Sequence, residues 1–392
     1  MLSEIPLVLR TSIDSLISMI KKERLIKLTR DLIRINSENP PGNEVIIAEF
    51  VKRHLEKSGL KTKVYEFKKN RSNVLANLGG KSDKTLLISP HLDTVPAGKN
   101  WKHEPFSATI EKGRIYGQGA TDCKCNLAIA LEAIRSLCEE KIKPQCNLLF
   151  VASADEEAGS KYGLIPLLEK KIISPDFALA LDSDEFNIVV SQKGLMHFKV
   201  KIFGKTAHGA YPERGINAIE IASRIICALK ENKFKYKAFP LLKGPTVNIG
   251  KISGGEKVNI VAGFCEFEVD LRYLPGMNKD EIIGQIEKII AKFAKRFRIE
   301  FDDIQNPYTI DKKHPLVYSL IAAAGEIEIK PQIKGSAGAT VITFFRQHNI
   351  PAISFGCGNS GCAHASDEYV KIDNLYKGAK ILEVFLKNGL LR

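Results

Sequence analysis

Residues 146–152 form an almost wholly apolar run that ends at Asp155-Glu156-Glu157. A strand with one wet face alternates apolar and polar side chains. A run without alternation predicts a strand covered on both faces, as in a parallel sheet between helical layers. The segment also poses an electrostatic problem. Three adjacent carboxylates repel, and the end of a buried strand is an unfavourable place for them without a compensating cation. The competing reading is an exposed acidic turn.

The same pattern recurs. Thr85-Leu86-Leu87-Ile88, between Lys84 and Pro90, reads as a short buried strand running into His91-Leu92-Asp93. On an extended backbone His91 and Asp93 share one side. An imidazole that binds metal through one nitrogen is commonly held through the other by a carboxylate. A third run, 177–181, ends at Asp182. Helical spacing appears over 124–139, through Leu127, Ala130, Leu131, Ile134 and Leu137, and again near 164–171. Earlier, 12–35 carries Ile13, Leu16, Ile17, Ile20, Leu25, Leu28, Leu32 and Ile33 at helical spacing. A Pro/Gly break follows, with Asn43 placed to cap a helix reaching about Leu55. Strands are expected at 62–67 and 73–78, and a loop and hairpin at 100–121. The alternation predicts an α/β domain around a mixed, largely parallel sheet. In such sheets functional groups gather at the carboxyl ends of strands.

The texture changes after Lys193-Gly194. Strands at 195–203, 246–252, 264–273 and 298–302, with helices at 215–230 and 279–293, spell β-α-β-β-α-β, an α+β ferredoxin-like unit. The expected organisation is a first domain, 1–194, an inserted domain, 195–305, and a return to the first domain over 306–392. The return carries helices near 315–325 and 338–348, a strand at 352–356, a glycine-rich loop through His364 and a last helix from about Asn374.

With 392 residues, 44% of them hydrophobic and 26% charged, the chain has material for a large core and more than one domain. The net charge of +13 raises the question of an anionic partner. Its lysines are spread along the chain, with no basic helix interleaved with aromatics, which predicts a solvated surface and no nucleic-acid partner. No run approaches a membrane span, and the N-terminus lacks the apolar core of a signal peptide. The eight cysteines, mostly inside apolar runs, are expected to be buried reduced thiols of a cytoplasmic protein. Cys357 and Cys362 lack the second pair that a structural zinc site needs. Asp122 precedes a helix and could serve only as its cap. His208 sits in a glycine-flanked turn.

Five segments, 89–98, 117–126, 155–159, 204–218 and 361–369, appear in the order and spacing of one family. The chain resembles the dinuclear zinc hydrolases that include acetylornithine deacetylase, succinyl-diaminopimelate desuccinylase, aminoacylase and carboxypeptidase G, over essentially its whole length. The resemblance implies a catalytic domain with an inserted lid and dimerisation domain. It implies two zinc ions per chain, with cobalt or manganese as possible substitutes. Asp122 would bridge them, His91 and Asp182 would complete one shell, and Glu157 and His364 the other. Asp184 competes with Asp182 for its place. Asp93 would orient His91, and Glu156 would be the general base for a zinc-bridged water. His208 would stabilise the oxyanion, reaching the partner's site in a homodimer. Asn259 and Arg272 would touch substrate. The peptide after Asp122 would be cis. The implied activity is hydrolysis of the amide bond of an N-acyl amino acid, with a dipeptidase or carboxypeptidase as the alternative and a noncatalytic metal-binding protein as a third reading. The chain departs from the pattern at Gln118, Cys123 and Cys125, near Ala262, and most seriously at Val341 and Thr343. Many relatives carry aspartate and arginine at those last two positions, and the arginine holds the substrate carboxylate.

Overall fold

The computed structural model describes residues 18–390, so Ile13, Leu16 and Ile17 of the first helical pattern lie outside the described residues. The rest of that pattern forms the helix Lys22–Ile33, which buries Leu25, Leu28, Leu32 and Ile33. The next helix, Val45–Lys57, starts from Glu44 rather than Asn43 and has no side-chain cap. Glu44 is unavailable as a cap because its carboxylate accepts from the Arg71 guanidinium.

A nine-stranded mixed sheet organises the larger part of the chain. Its centre is parallel, in the order Asn147–Ala152, Thr85–Ser89, Phe177–Ala180, Ala352–Ser354. Thr62–Glu66 and Ser72–Leu78 extend it antiparallel on one side. On the other, Ile188–Gln192 pairs antiparallel with Ala352–Ser354 and Tyr308–Thr309, and parallel with Ile333–Ser336. The central strands are apolar on both faces for the reason their sequence suggests. Leu86, Ile88, Leu148 and Phe150 enter one core with the helices Lys22–Ile33, Lys124–Glu140, Pro315–Glu326 and Ile372–Asn388. Leu87, Leu149 and Val151 enter a second core with Leu164–Glu169 and Ile342–Gln347. Neighbours in sequence thus go to opposite layers, as a pleat requires.

Two expectations need correction here. The helix foreseen at 338–348 begins only at Ile342, because Gln192 holds Thr340 through both amide ends and keeps the preceding residues in a turn. The strands Ile188–Gln192, Tyr308–Thr309, Ile333–Ser336 and Tyr369–Lys371 were not foreseen; most are too short for a period to register.

The segment after Lys193 builds a four-stranded antiparallel sheet in the order Thr246–Gly254, Phe264–Tyr273, Gly194–Phe203, Phe297–Gln305. The helices Ala218–Glu231 and Lys279–Phe293 pack on it over their own core, which includes Phe198, Ile225, Phe267 and Ile286. Asn217 and Asn278 cap these helices through their side chains. Among the described residues no helix is long and apolar enough to cross a membrane. All eight cysteines are unpaired, and Cys227 is exposed rather than buried.

Candidate metal centre

The strand Thr85–Ser89 delivers His91 to the end of the parallel sheet, where it bridges Ser153 at the end of the neighbouring strand. Its ring is fixed from both sides. Nδ1 lies 2.9 Å from the Asp93 carbonyl, and Nε2 lies 2.9 Å from Asp122 Oδ1. The Asp93 carboxylate is 3.7 Å from Nδ1, so the backbone of Asp93, more than its side chain, sets the ring. That carboxylate has other work. It accepts from the amides of Glu156 and Glu157 at 3.0 and 3.1 Å, and from Asn39 Nδ2 at 2.8 Å.

Asp155, Glu156 and Glu157 separate by role. Asp155 turns with a positive φ of 65° and points away, to Arg71, Asn39 and the amide of Tyr162. Arg71, itself buried, joins Asp155 to Glu44. Glu156 and Glu157, on the short turn Glu156–Ala158, face the cluster. The acidic turn is therefore neither exposed nor uniform.

Asp122 stands at the head of the helix Lys124–Glu140, on a loop held by Glu368. The Glu368 carboxylate is buried and accepts from the amides of Gly119, Thr121 and Asp122 at 2.8, 2.7 and 2.8 Å. The Asp122–Cys123 peptide is cis, as the resemblance implied. Asp122 does not cap the helix. Its Oδ1 faces His91, while Oδ2 lies 3.3 Å from His364 Nε2. His364 also lies 3.3 Å from the Glu157 carboxylate. Donor atoms of Asp122, Glu157 and His364 lie within 4.8 Å of one another, and so do those of His91, Glu156 and Glu157.

Asp182 follows the strand Phe177–Ala180 and lines, with Asp122, a cavity of about 260 Å³. It belongs to none of the close donor groups found among the described residues. Asp184 lines the same cavity but accepts from Asn187 Nδ2, which leaves Asp182 the freer carboxylate. The remaining expected residues lie in the inserted segment. His208 is exposed, with Nδ1 accepting from the amide of Ala210. Asn259 is exposed beside it, its carbonyl accepting from Gly209. Arg272 is paired with Asp270. None of the three bonds to the histidine–carboxylate cluster within this chain. Sequence reasoning missed Asn39, Arg71 and Glu368, whose roles depend on partners far away in the chain. Glu368 had the one local signal, its place in the loop of His364.

The donor set suits divalent cations. Imidazole and carboxylate are ordinary zinc ligands. The cluster is also short of positive charge. Hydrogen bonds that its ring donates to the Asp122 and Glu157 carboxylates push His364 up to about 10. Burial, then the charge of Asp122, pushes Asp182 up to about 7. Burial, then Asp182, raises Glu156 well above the usual carboxylate range. A site that gathers protons in this way is one where a dication can take their place.

The family model described as peptidase family M20/M25/M40 matches residues 87–388. An uncharacterized metallohydrolase of Methanocaldococcus jannaschii is 30% identical, the match covering 93% of this chain and 99% of that protein. Among solved structures, aminopeptidase PepT from Bacillus cereus superposes with a TM-score of 0.77 at 25% identity, covering 94% of this chain and 99% of that one. A family M20 metallo-carboxypeptidase from Sulfolobus solfataricus gives a TM-score of 0.79 at 24% identity, covering 93% and 98%. With its motifs, sheet and histidine–carboxylate cluster all in agreement, the chain belongs to the M20/M25/M40 family of metal-dependent peptidases and hydrolases.

Proposed function

We propose that this protein is a two-metal amide hydrolase that releases the acyl group of an N-acyl amino acid. One observation carries the reading: Asp122 offers one oxygen to the side of His91 and the other to the side of His364 and Glu157, while the Glu156 carboxylate beside them has no hydrogen bond among the described residues. In this reading His91, Asp122 and Asp182 would hold one ion, and Asp122, Glu157 and His364 the other. Zinc is the proposed metal, with cobalt or manganese able to replace it. Divalent cations so placed polarise an amide carbonyl and acidify water. Glu156 takes the proton from the attacking water and returns it to the departing amine nitrogen, so the C–N bond breaks as a C–O bond forms. Asp93 and Arg71 keep the Glu156 backbone from drifting.

The segment 195–305 would act as lid and dimerisation domain. His208 would then meet the oxyanion across a homodimer. Its exposed ring and the exposed Tyr211, Ile216, Ile219 and Val258 nearby support that assignment. A second reading, a dipeptidase or carboxypeptidase, is favoured by the peptidases among the solved structures of similar fold. Acetyl- and succinyl-amino acids and dipeptides, supplied with zinc or cobalt and scored by free amine, separate the two. Amine from the acyl compounds is expected. Amine from dipeptides alone would establish the second reading, and none from any, with metal bound, would remove both.

A further inference from the structure

Thr343 stands where the family resemblance implies an arginine for a substrate carboxylate, and its side chain is out of reach. It is fully buried, and its hydroxyl donates to the Asn306 carbonyl. Other basic groups are engaged as well. Arg272 is paired with Asp270, and Lys193 Nζ donates to the Gly244 carbonyl. An anionic substrate would need a different cation.

The cavity beside the metal centre contains one. It runs from Asp122 and Asp182 to Lys334, Ser336 and Thr340. Lys334 is the single lysine or arginine lining it, and among the described residues its side-chain ammonium has neither an ion pair nor a hydrogen bond. Three carboxylates also line the cavity, and none is ion-paired with Lys334 among the described residues: Asp122 belongs to the histidine cluster, Asp184 accepts from Asn187, and Asp182 is the residue assigned to a cation in the proposed function. The Lys334 backbone is paired into the large sheet, just before a register shift at Gly335. Lys334 lies on the strand Ile333–Ser336, in register with Val189, and Val189 is itself part of the cavity wall. A half-buried lysine, carried by a sheet strand and with its ammonium unpaired beside the candidate metal centre, is a ready partner for a carboxylate.

We propose that Lys334 is the anion anchor of this site and restricts it to substrates carrying a free carboxylate near the scissile amide. The proposal rests on the amide-hydrolase reading but concerns recognition, and binding can test it without turnover. The test uses zinc-loaded Glu156→Gln protein, in which substrate persists, titrated calorimetrically with N-acetylalanine and with its carboxamide. The acid is expected to bind about 10- to 100-fold more tightly than the amide, the range for a hydrogen bond to a charged group. Adding Lys334→Gln should abolish that preference, and adding Lys334→Arg should keep most of it, with metal content the same in all three. A carboxylate that goes to the metal instead would keep its preference in the Lys334→Gln protein, and that result overturns the anchor. So does equal binding, or no binding, of acid and amide before Lys334 is changed. If the preference follows Lys334 but active protein releases amine from no acyl or peptide substrate, the hydrolase reading fails while the anchor stands.

Discussion

The histidine–carboxylate cluster and the exposed turn around His208 belong to one chain but are built by opposite rules. At the sheet end the carboxylates that position the cluster are each held by several bonds. Asp93 takes two amides and Asn39, Glu368 takes three amides, and Asp155 takes Arg71, Asn39 and an amide. Among the described residues the His208 ring has a single hydrogen bond and the Asn259 side chain none, and both residues lie open to solvent. Like charges at cation distance repel until the ion arrives, so the scaffold must hold them there beforehand. A group that acts on substrate, or on a second copy, can wait in water until its partner comes.

Disabling the over-determined side should have the larger effect. Asp122→Ala removes the group that faces both halves of the cluster; metal content by elemental analysis should fall to one ion per chain or fewer, and amide hydrolysis should be lost. Glu156→Gln should lower turnover by at least about 10²-fold with metal retained, since acid–base catalysis commonly contributes that much; unchanged turnover would remove Glu156 from the chemistry. Glu368→Ala frees three amides of the Asp122 loop and should weaken metal binding by about 10- to 100-fold in competition with a chelator, as loss of groups that orient ligands does. Restoration of affinity by Glu368→Gln would show that the hydrogen bonds, and not the charge, position Asp122. On the exposed side, His208→Ala should slow catalysis yet leave metal content and thermal midpoint unchanged; normal kinetics would sink its assignment. Phe198→Ala tests the independence of the two regions. It should destabilise the inserted core by about 3–5 kcal/mol in denaturant unfolding, without altering metal affinity.

The strands that carry the site were visible in the sequence because burial on both faces leaves an uninterrupted apolar signature, and their ends were marked by His91, Glu156 and Asp182. The elements after Lys193 were equally plain, since the strands alternate and the helices keep one apolar face; the strand Phe264–Tyr273 and the helix Lys279–Phe293 fall where the pattern put them. Short edge strands escaped, as Tyr308–Thr309 did, because two residues have no period. Asn43 misled because capping propensity is local, whereas the Arg71–Glu44–Asp155 network that fixes the start of the next helix is assembled across the chain.

Composition, pattern and motif order thus decided the architecture and the kinds of atom at the centre, since burial and ligand chemistry are properties of residue type. Which oxygen of Asp122 faces which histidine, which acid of the 155–157 trio turns away, and which lysine stands unpaired in the cavity were decided by the fold. Those are distances between segments remote in sequence, fixed only once the sheet has brought its strand ends together.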